Sequence, residues 1–207
     1  MAKYLHGSSG PFMGNIGGVT GSSWYGIPYI KARYRRRTGR VSDREKHNRS
    51  KFAMAHFWLQ PLLEFVREGF KNYSFRARSF NAAKSHLLKN AFEGTKPDIF
   101  INPALVKVSV GDLPLSGGIA VEKSAENEIR FTWDPKTKDT DYFDQVMMLA
   151  YDVEENEAYY RTTGQLRYTG TDTLIVNKGR KYHLYLAFNA ADRSRQSDSV
   201  YLGEMSM

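Results

Sequence analysis

The chain has 207 residues, no cysteine and a formal net charge of +8 at pH 7. This length allows two modest hydrophobic cores, so we expect two domains. The lack of cysteine excludes disulfides and thiolate metal sites. No stretch approaches the roughly 18 consecutive apolar residues of a spanning helix, and MAKYLHGSSGPFMG lacks the apolar segment of a signal peptide. We therefore expect no membrane span, and a location in the cytoplasm or within an assembled particle.

The charge is divided unevenly between the two halves of the chain. Residues 1–95 contain 17 Lys and Arg against 5 Asp and Glu, a net of +12, whereas residues 96–207 contain 13 against 17, a net of −4. Such asymmetry predicts a polyanionic partner for the basic half, or contact between oppositely charged parts of neighbouring copies.

Residues 1–41 are predicted to form a basic arm rich in glycine and arginine. Glycine and serine punctuate residues 7–26, but large apolar side chains are threaded through them, which flexible linkers rarely carry. The pattern therefore predicts an arm that docks on a surface, with glycine at its tight turns. The side chains expected to dock are Phe12, Ile16, Trp24 and Tyr25.

The most basic segment of the chain is IPYIKARYRRRTGR, residues 27–40. Guanidinium groups can bind phosphate in a bidentate manner, and interleaved tyrosines can stack on bases. Alternatively, the arginines solvate a linker or pair with the acidic half of a neighbouring copy. The residues predicted to bind nucleic acid or a subunit are Lys31, Arg33, Arg35, Arg36, Arg37, Arg40, Tyr29, Tyr34, Arg44 and Arg49.

Residues 42–95 are predicted to be helical. Ser42 and Glu45 have the spacing of a capping box, and Pro61 should kink the helix that follows. A further helix is predicted from Ser79 to about Phe92. Spacings of three and four residues predict a buried face on the first helix made of Phe52, Ala55, Trp58, Leu59, Leu62 and Leu63.

Residues 96–207 change to the two-residue alternation of β-strands. About seven short strands separated by turn-rich segments predict a sandwich of two antiparallel sheets. One of the predicted strands covers residues 104–110. The predicted fold class is therefore α+β, with a basic arm and a helical region followed by an immunoglobulin-like sandwich.

Two resemblances support this organisation. Phe131, Trp133 and the run YHLYLAFNAADRSRQSDSVYL at residues 182–202 resemble a fibronectin type III or related immunoglobulin-like domain. That resemblance implies a fold only, because such domains act as spacers or binding modules and share no catalytic site. The segments GPFMGNIGGVTGSSWYGIPYI, KFAMAHFWLQPLLEFVREGFKN and SDSVYLG are similar to an uncharacterised family of Bacteroidota proteins, which implies an architecture and no activity.

The sequence contains none of the common catalytic or cofactor motifs. The glycine run does not satisfy GxGxxG and no GKS or GKT follows it. The five histidines lack the spacing of metal ligands, and the acidic clusters lack the pattern of a calcium loop. We therefore predict no catalytic residue, metal or cofactor, and a structural or assembly protein that self-associates. The alternative is a monomeric immunoglobulin-like module that recognises a protein or a glycan.

Overall fold

The computed structural model describes residues 3–4, 10–36, 38–73, 78–95, 98–136 and 141–207. The chain divides into two compact units, Met1–Asp43 and Arg44–Met207. No helix in these described ranges is both long and apolar enough to cross a bilayer.

The first unit contains a four-stranded antiparallel sheet. Its strands follow chain order and are β1 (Lys3–Tyr4), β2 (Phe12–Ile16), β3 (Val19–Trp24) and β4 (Ile27–Ala32). The sequence predicted an arm here, and the structure instead folds the segment into a meander. The reason is that three of its glycines, Gly17, Gly18 and Gly26, lie in two-residue turns. Tyr25 and Gly26 connect β3 to β4 with φ angles of 49° and 80°, the geometry that suits the twist of a hairpin.

The second unit begins with three helices. They are α1 (Asp43–Leu59), α2 (Leu63–Gly69) and α3 (Ser79–Asn90). Pro61 lies in a 3-10 turn, Gln60–Leu62, between the first two helices, where its missing N–H costs no α-helical hydrogen bond. Ala55, Trp58, Leu59 and Leu62 are buried as predicted. Phe52 is exposed, so its predicted burial was wrong: its ring lies over the ammonium of Lys84 and does not enter the core.

The sandwich has two antiparallel sheets. One is β10-β9-β12-β13, built from β9 (Gln145–Asp152), β10 (Glu157–Arg161), β12 (Lys181–Asn189) and β13 (Val200–Ser206). The other is β11-β8-β7, built from β7 (Ala120–Ala125), β8 (Glu128–Thr132) and β11 (Thr171–Ile175). A two-stranded pair, β5 (Phe92–Glu93) and β6 (Phe100–Ile101), joins the helices to the sandwich.

The four-stranded sheet of the sandwich is covered on both faces. Met147 and Leu149 of β9 belong to a core shared with the helices, whereas Val146 and Met148 belong to a core shared with the three-stranded sheet. Because both faces are buried, β9 is a continuous apolar run with no alternation. Within Arg44–Met207, the helices and the sandwich therefore pack as three layers of one unit.

The alternating segment at residues 104–110 is not a strand, so that prediction was wrong. Pro103–Leu105 is a 3-10 turn. Val106 and Val108 are buried, which explains the alternation, but the backbone bonds irregularly: Val110 N–H donates to the Gly69 carbonyl at 2.9 Å and Val108 N–H to Ser199 Oγ at 3.0 Å.

A buried ion pair closes one end of the sandwich. Arg167 Nη2 lies 3.2 Å from Asp144 Oδ2, and both side chains are almost fully buried. The guanidinium stacks 3.9 Å from the centre of the Phe188 ring and donates to Ser116 Oγ and the Pro114 carbonyl at 2.8 and 3.0 Å. Burial raises the pKa of Asp144 even though the Arg167 charge opposes the shift. The pair therefore fixes geometry, and its desolvation offsets much of its attraction.

Candidate functional site

The candidate site is the sheet of the first unit, where the predicted docking side chains and much of the predicted basic cluster lie. Of the described residues in this unit, Gly21 alone is buried. A Cβ at Gly21 would lie 2.0 Å from the Phe12 carbonyl oxygen, so β2 and β3 approach too closely there for any side chain. The sheet thus pairs its backbone without enclosing a core of its own.

One face of this sheet is apolar. Directly paired residues share a face, and Ile16 pairs with Val19, which pairs with Ala32. Ile30 lies two residues along β4 from Ala32, on the same face. We call these four residues the apolar face. Ile30 is 65% exposed, and Ile16 and Val19 are 36% and 39% exposed, so part of each of these side chains remains in contact with water.

The opposite face is polar beside the β2–β3 turn, whereas Trp24 and Ile27 lie at its other end, beside the β3–β4 turn. Asn15, Thr20 and Lys31 lie side by side across three strands, and the Thr20 hydroxyl donates to Asn15 Oδ1 at 2.5 Å. Tyr29 follows on the same face, 5.7 Å from Lys31 Nζ to the ring centre. A hydrogen bond with Ser22, aided by the Lys31 charge, lowers the pKa of Tyr29. We call this the polar face.

A cleft of about 450 Å³ opens on the polar face. The Arg33 N–H donates to the Gly18 carbonyl at 2.9 Å, which extends the pairing beyond β4 and fixes the backbone beside the cleft. Tyr34 is 86% exposed. The lining residues combine two cations, a phenol and small polar groups: Asn15, Thr20, Lys31, Ala32, Arg33 and Tyr34. Cations beside an exposed ring and hydroxyl donors form a surface that suits a phosphate with an adjacent base.

The structure divides the predicted binding residues between the two units. All the predicted binding residues that the structure describes in the first unit are exposed, and Tyr29 is 40% exposed. These residues are Tyr29, Lys31, Arg33, Tyr34, Arg35, Arg36 and Arg40. Arg37 lies outside the described residues. Arg44 and Arg49 belong to α1 in the second unit, and Arg49 is paired with Glu45 at 2.6 Å. The structure therefore does not show these two residues joining the cluster.

The predicted docking residues also differ among themselves. Ile16 lies on the apolar face. Trp24 and Tyr25 lie at the β3–β4 turn, both more than half exposed, with their rings 5.1 Å apart in an edge-to-face pair. Phe12 is half-buried beside Gly21. The apolar groups of the unit are thus presented at two places, one face and one turn.

One further cluster, around Lys84, has no motif in the sequence that indicates it directly. Lys84 of α3 is 7% exposed, and its Nζ lies 3.2 Å from His56 Nδ1 of α1. The available signal was its spacing, four residues after Phe80 and three before Leu87, which places Lys84 on the inward side of α3.

Fold and surface together define a two-unit α+β protein with an exposed basic sheet and a helix-covered β-sandwich. The chain belongs to a family of unknown function, DUF6266, which matches residues 11–203. This match spans most of both units, so the N-terminal sheet is part of what the family comparison recognises. The comparison with curated proteins gives no match.

Proposed function

We propose that this is a non-catalytic assembly protein whose N-terminal sheet docks on a neighbouring subunit through its apolar face. The observation that carries the proposal is the exposure of Ile16, Val19 and Ile30 side by side on a sheet without a core. Burying the exposed part of these side chains against a partner contributes about 25 cal/mol for each Å² of apolar surface removed from water. A sheet of three or more strands gains independent stability from its hydrophobic face, so covering that face by docking would also stabilise the sheet.

Charge supports a second copy as the partner. Residues 1–43 carry seven Lys and Arg against one Asp, a net of +6, whereas residues 96–207 carry a net of −4. Complementary charges accelerate encounter and favour one docking orientation. A copy of the chain therefore offers both the basic sheet and an oppositely charged region to receive it.

Nucleic acid is a second candidate partner, favoured by the cleft on the polar face. Lys31 and Arg33 would neutralise phosphates there, and Tyr34 would stack on a base. This face is opposite the apolar one, so a docked sheet could still present it. A filament, a virion-like particle or a nucleoid-like assembly would use both faces.

The sandwich fits the same role. Its seven strands, arranged as three facing four, support the finer assignment as a fibronectin type III-like domain. Such domains serve as spacers or as binding modules. In the proposed assembly, the sandwich of each copy would be a rigid body, and the N-terminal sheets would connect one copy to the next. The assembly would lie in the cytoplasm or within the particle.

The experiment is sedimentation velocity of the full chain over a concentration series. We expect concentration-dependent association, and we expect Ile16→Ser with Ile30→Ser to abolish it. The matched control is Ile175→Ser, since Ile175 is 66% exposed on β11 of the second unit. A chain that is monomeric at every concentration would contradict the proposal and favour the monomeric recognition module.

Nucleic-acid binding is tested separately by fluorescence anisotropy with a labelled single-stranded oligonucleotide over a salt series. If the cleft binds phosphate, Lys31→Ser and Arg33→Ser should each lower the salt slope by about 0.7 for every phosphate that the variant no longer neutralises. Replacing Arg35, Arg36 and Arg37 together by Ala tests the remaining basic tract. Unchanged binding and unchanged oligomer size in all of these variants would exclude the basic segment from function.

A further inference from the structure

A second cleft, about 500 Å³ in volume, lies between α1 and α3 in the second unit. Phe52 and Ala53 supply its apolar lining, and Arg49, His56 and Lys84 supply nitrogen atoms. It belongs to a different unit from the sheet described above. Its lining residues are therefore not those of the proposed docking face.

The unusual feature of this cleft is a buried lysine without a carboxylate. Within the described part of the chain, the polar contact of Lys84 Nζ is with His56 Nδ1, and no Asp or Glu pairs with it. Its other neighbours are the rings of Phe52 and Phe80, 4.4 and 5.0 Å from Nζ. These rings attract a cation but accept no strong hydrogen bond. Because burial is not compensated by a negative charge, the pKa of Lys84 is lowered.

The charges at the cleft leave room for one negative charge. Lys84 and Arg49 are cations, and Glu45 at the rim already pairs with Arg49 at 2.6 Å. Since Glu45 balances Arg49, the net positive charge at the cleft lies on the lysine. A singly charged oxyanion would balance it, whereas a doubly charged one would be repelled by Glu45.

We propose that this cleft binds a small organic carboxylate, with its carboxylate on Lys84 and His56 and its apolar body on Phe52 and Ala53. The carboxylate would accept charge-assisted hydrogen bonds from the ammonium. His56 Nδ1 accepts from the ammonium, so His56 would donate to the carboxylate from Nε2. The Phe52 ring, exposed on α1, would become covered, which explains a large apolar side chain at a helix surface position.

The test is an NMR titration of the full chain with benzoate, following the ring signals of Phe52 and His56. We expect a dissociation constant in roughly the millimolar range, given the size of the probe. Benzamide has the same shape without the charge and should bind at least tenfold more weakly. No response to benzoate, or equal affinity for the two probes, would overturn the proposal.

Two variants test whether Lys84 is the cation that binds the carboxylate. Lys84→Met keeps an unbranched apolar stem and should weaken benzoate at least tenfold, whereas Lys89→Met, an exposed lysine of the same helix, should not. Unchanged benzoate affinity in a folded Lys84→Met chain would overturn the proposal. If Lys84→Met does not fold, Glu45→Gln decides instead: it should improve binding of phenyl phosphate relative to benzoate, and an unchanged ratio would count against the site.

Discussion

Similar side chains are buried in one unit of this protein and exposed in the other. In the second unit, Ile129 of β8 is fully buried between two sheets, whereas Ile30 of β4 in the first unit is 65% exposed. Both are isoleucines in antiparallel strands of a multi-stranded sheet. The difference lies in whether a second layer covers the sheet. The apolar surface of the first unit is thus available for association, and that of the second unit is used in folding.

The largest expected effect concerns the ion pair that closes the sandwich. Asp144→Ala leaves the Arg167 guanidinium buried without its counter-charge and should destabilise the chain by about 3–5 kcal/mol. Urea denaturation of the variant and of the unchanged chain, measured side by side, gives the difference in their free energies of unfolding. The control is Glu126→Ala: Glu126 pairs with Lys178 at 3.7 Å, and both side chains are exposed, so its loss should cost about 0–1 kcal/mol.

A double replacement sharpens the same prediction. Asp144→Leu with Arg167→Met removes both charges, and it should recover much of the stability that Asp144→Ala loses, because no buried charge is then left unpaired. Equal losses in the single and double variants would show that hydrogen bonds to Ser116 and Pro114 matter more than the charge.

The isoleucine pair gives the next largest effect. Ile129→Ala opens a cavity between the sheets and should cost about 2–5 kcal/mol. Ile30→Ala at low protein concentration should change the free energy of unfolding by no more than about 0.5 kcal/mol. Thermal unfolding at a concentration below association measures both. Similar losses in the two variants would mean that the apolar face is already covered in the isolated chain.

The spacing of apolar residues and the residue types at turns were enough to predict the helices and most of the sandwich strands. The three- and four-residue spacing placed Ala55, Trp58 and Leu59 on the buried side of α1, and the structure agrees. The N-terminal sheet could not be predicted with the same rules, because dense glycine is typical of linkers as well as of tight hairpins. The positive φ of Tyr25 and Gly26 decides between them, and composition does not contain that information.

Tertiary contacts account for the remaining differences. Val106 and Val108 alternate because they face the core, but the backbone partners of this segment come from α2 and from the residues before β13. Lys84 and Arg167 are buried although lysine and arginine are usually exposed. Each depends on neighbours distant in sequence, such as His56 and Asp144. A pattern along one strand or helix therefore cannot reveal these sites.

A smaller effect is expected from two histidines of the second unit. Burial lowers the pKa of His86 and of His183, so the unfolded chain takes up protons at a higher pH than the folded one. Stability should therefore be present above the ordinary histidine pKa of about 6.5 and fall as the pH drops below it. Melting temperatures measured from pH 7.5 to roughly 5.5 test this. His86→Asn with His183→Asn should flatten the dependence, and an unchanged slope would assign it to other groups.

The smallest effect again separates the two units, through their tyrosines. Hydrogen bonding to Ser22 and the Lys31 charge lower the pKa of Tyr29 on the exposed sheet. In the sandwich, burial raises the pKa of Tyr159 to about 12 and that of Tyr185 well above its ordinary value. A spectrophotometric titration should therefore resolve an early group of tyrosines, which ionises at lower pH, from a late group, which ionises at higher pH. Ser22→Ala should move the Tyr29 pKa up toward its ordinary value without altering the late group, and a shift of the late group instead would mean that the two units do not titrate independently.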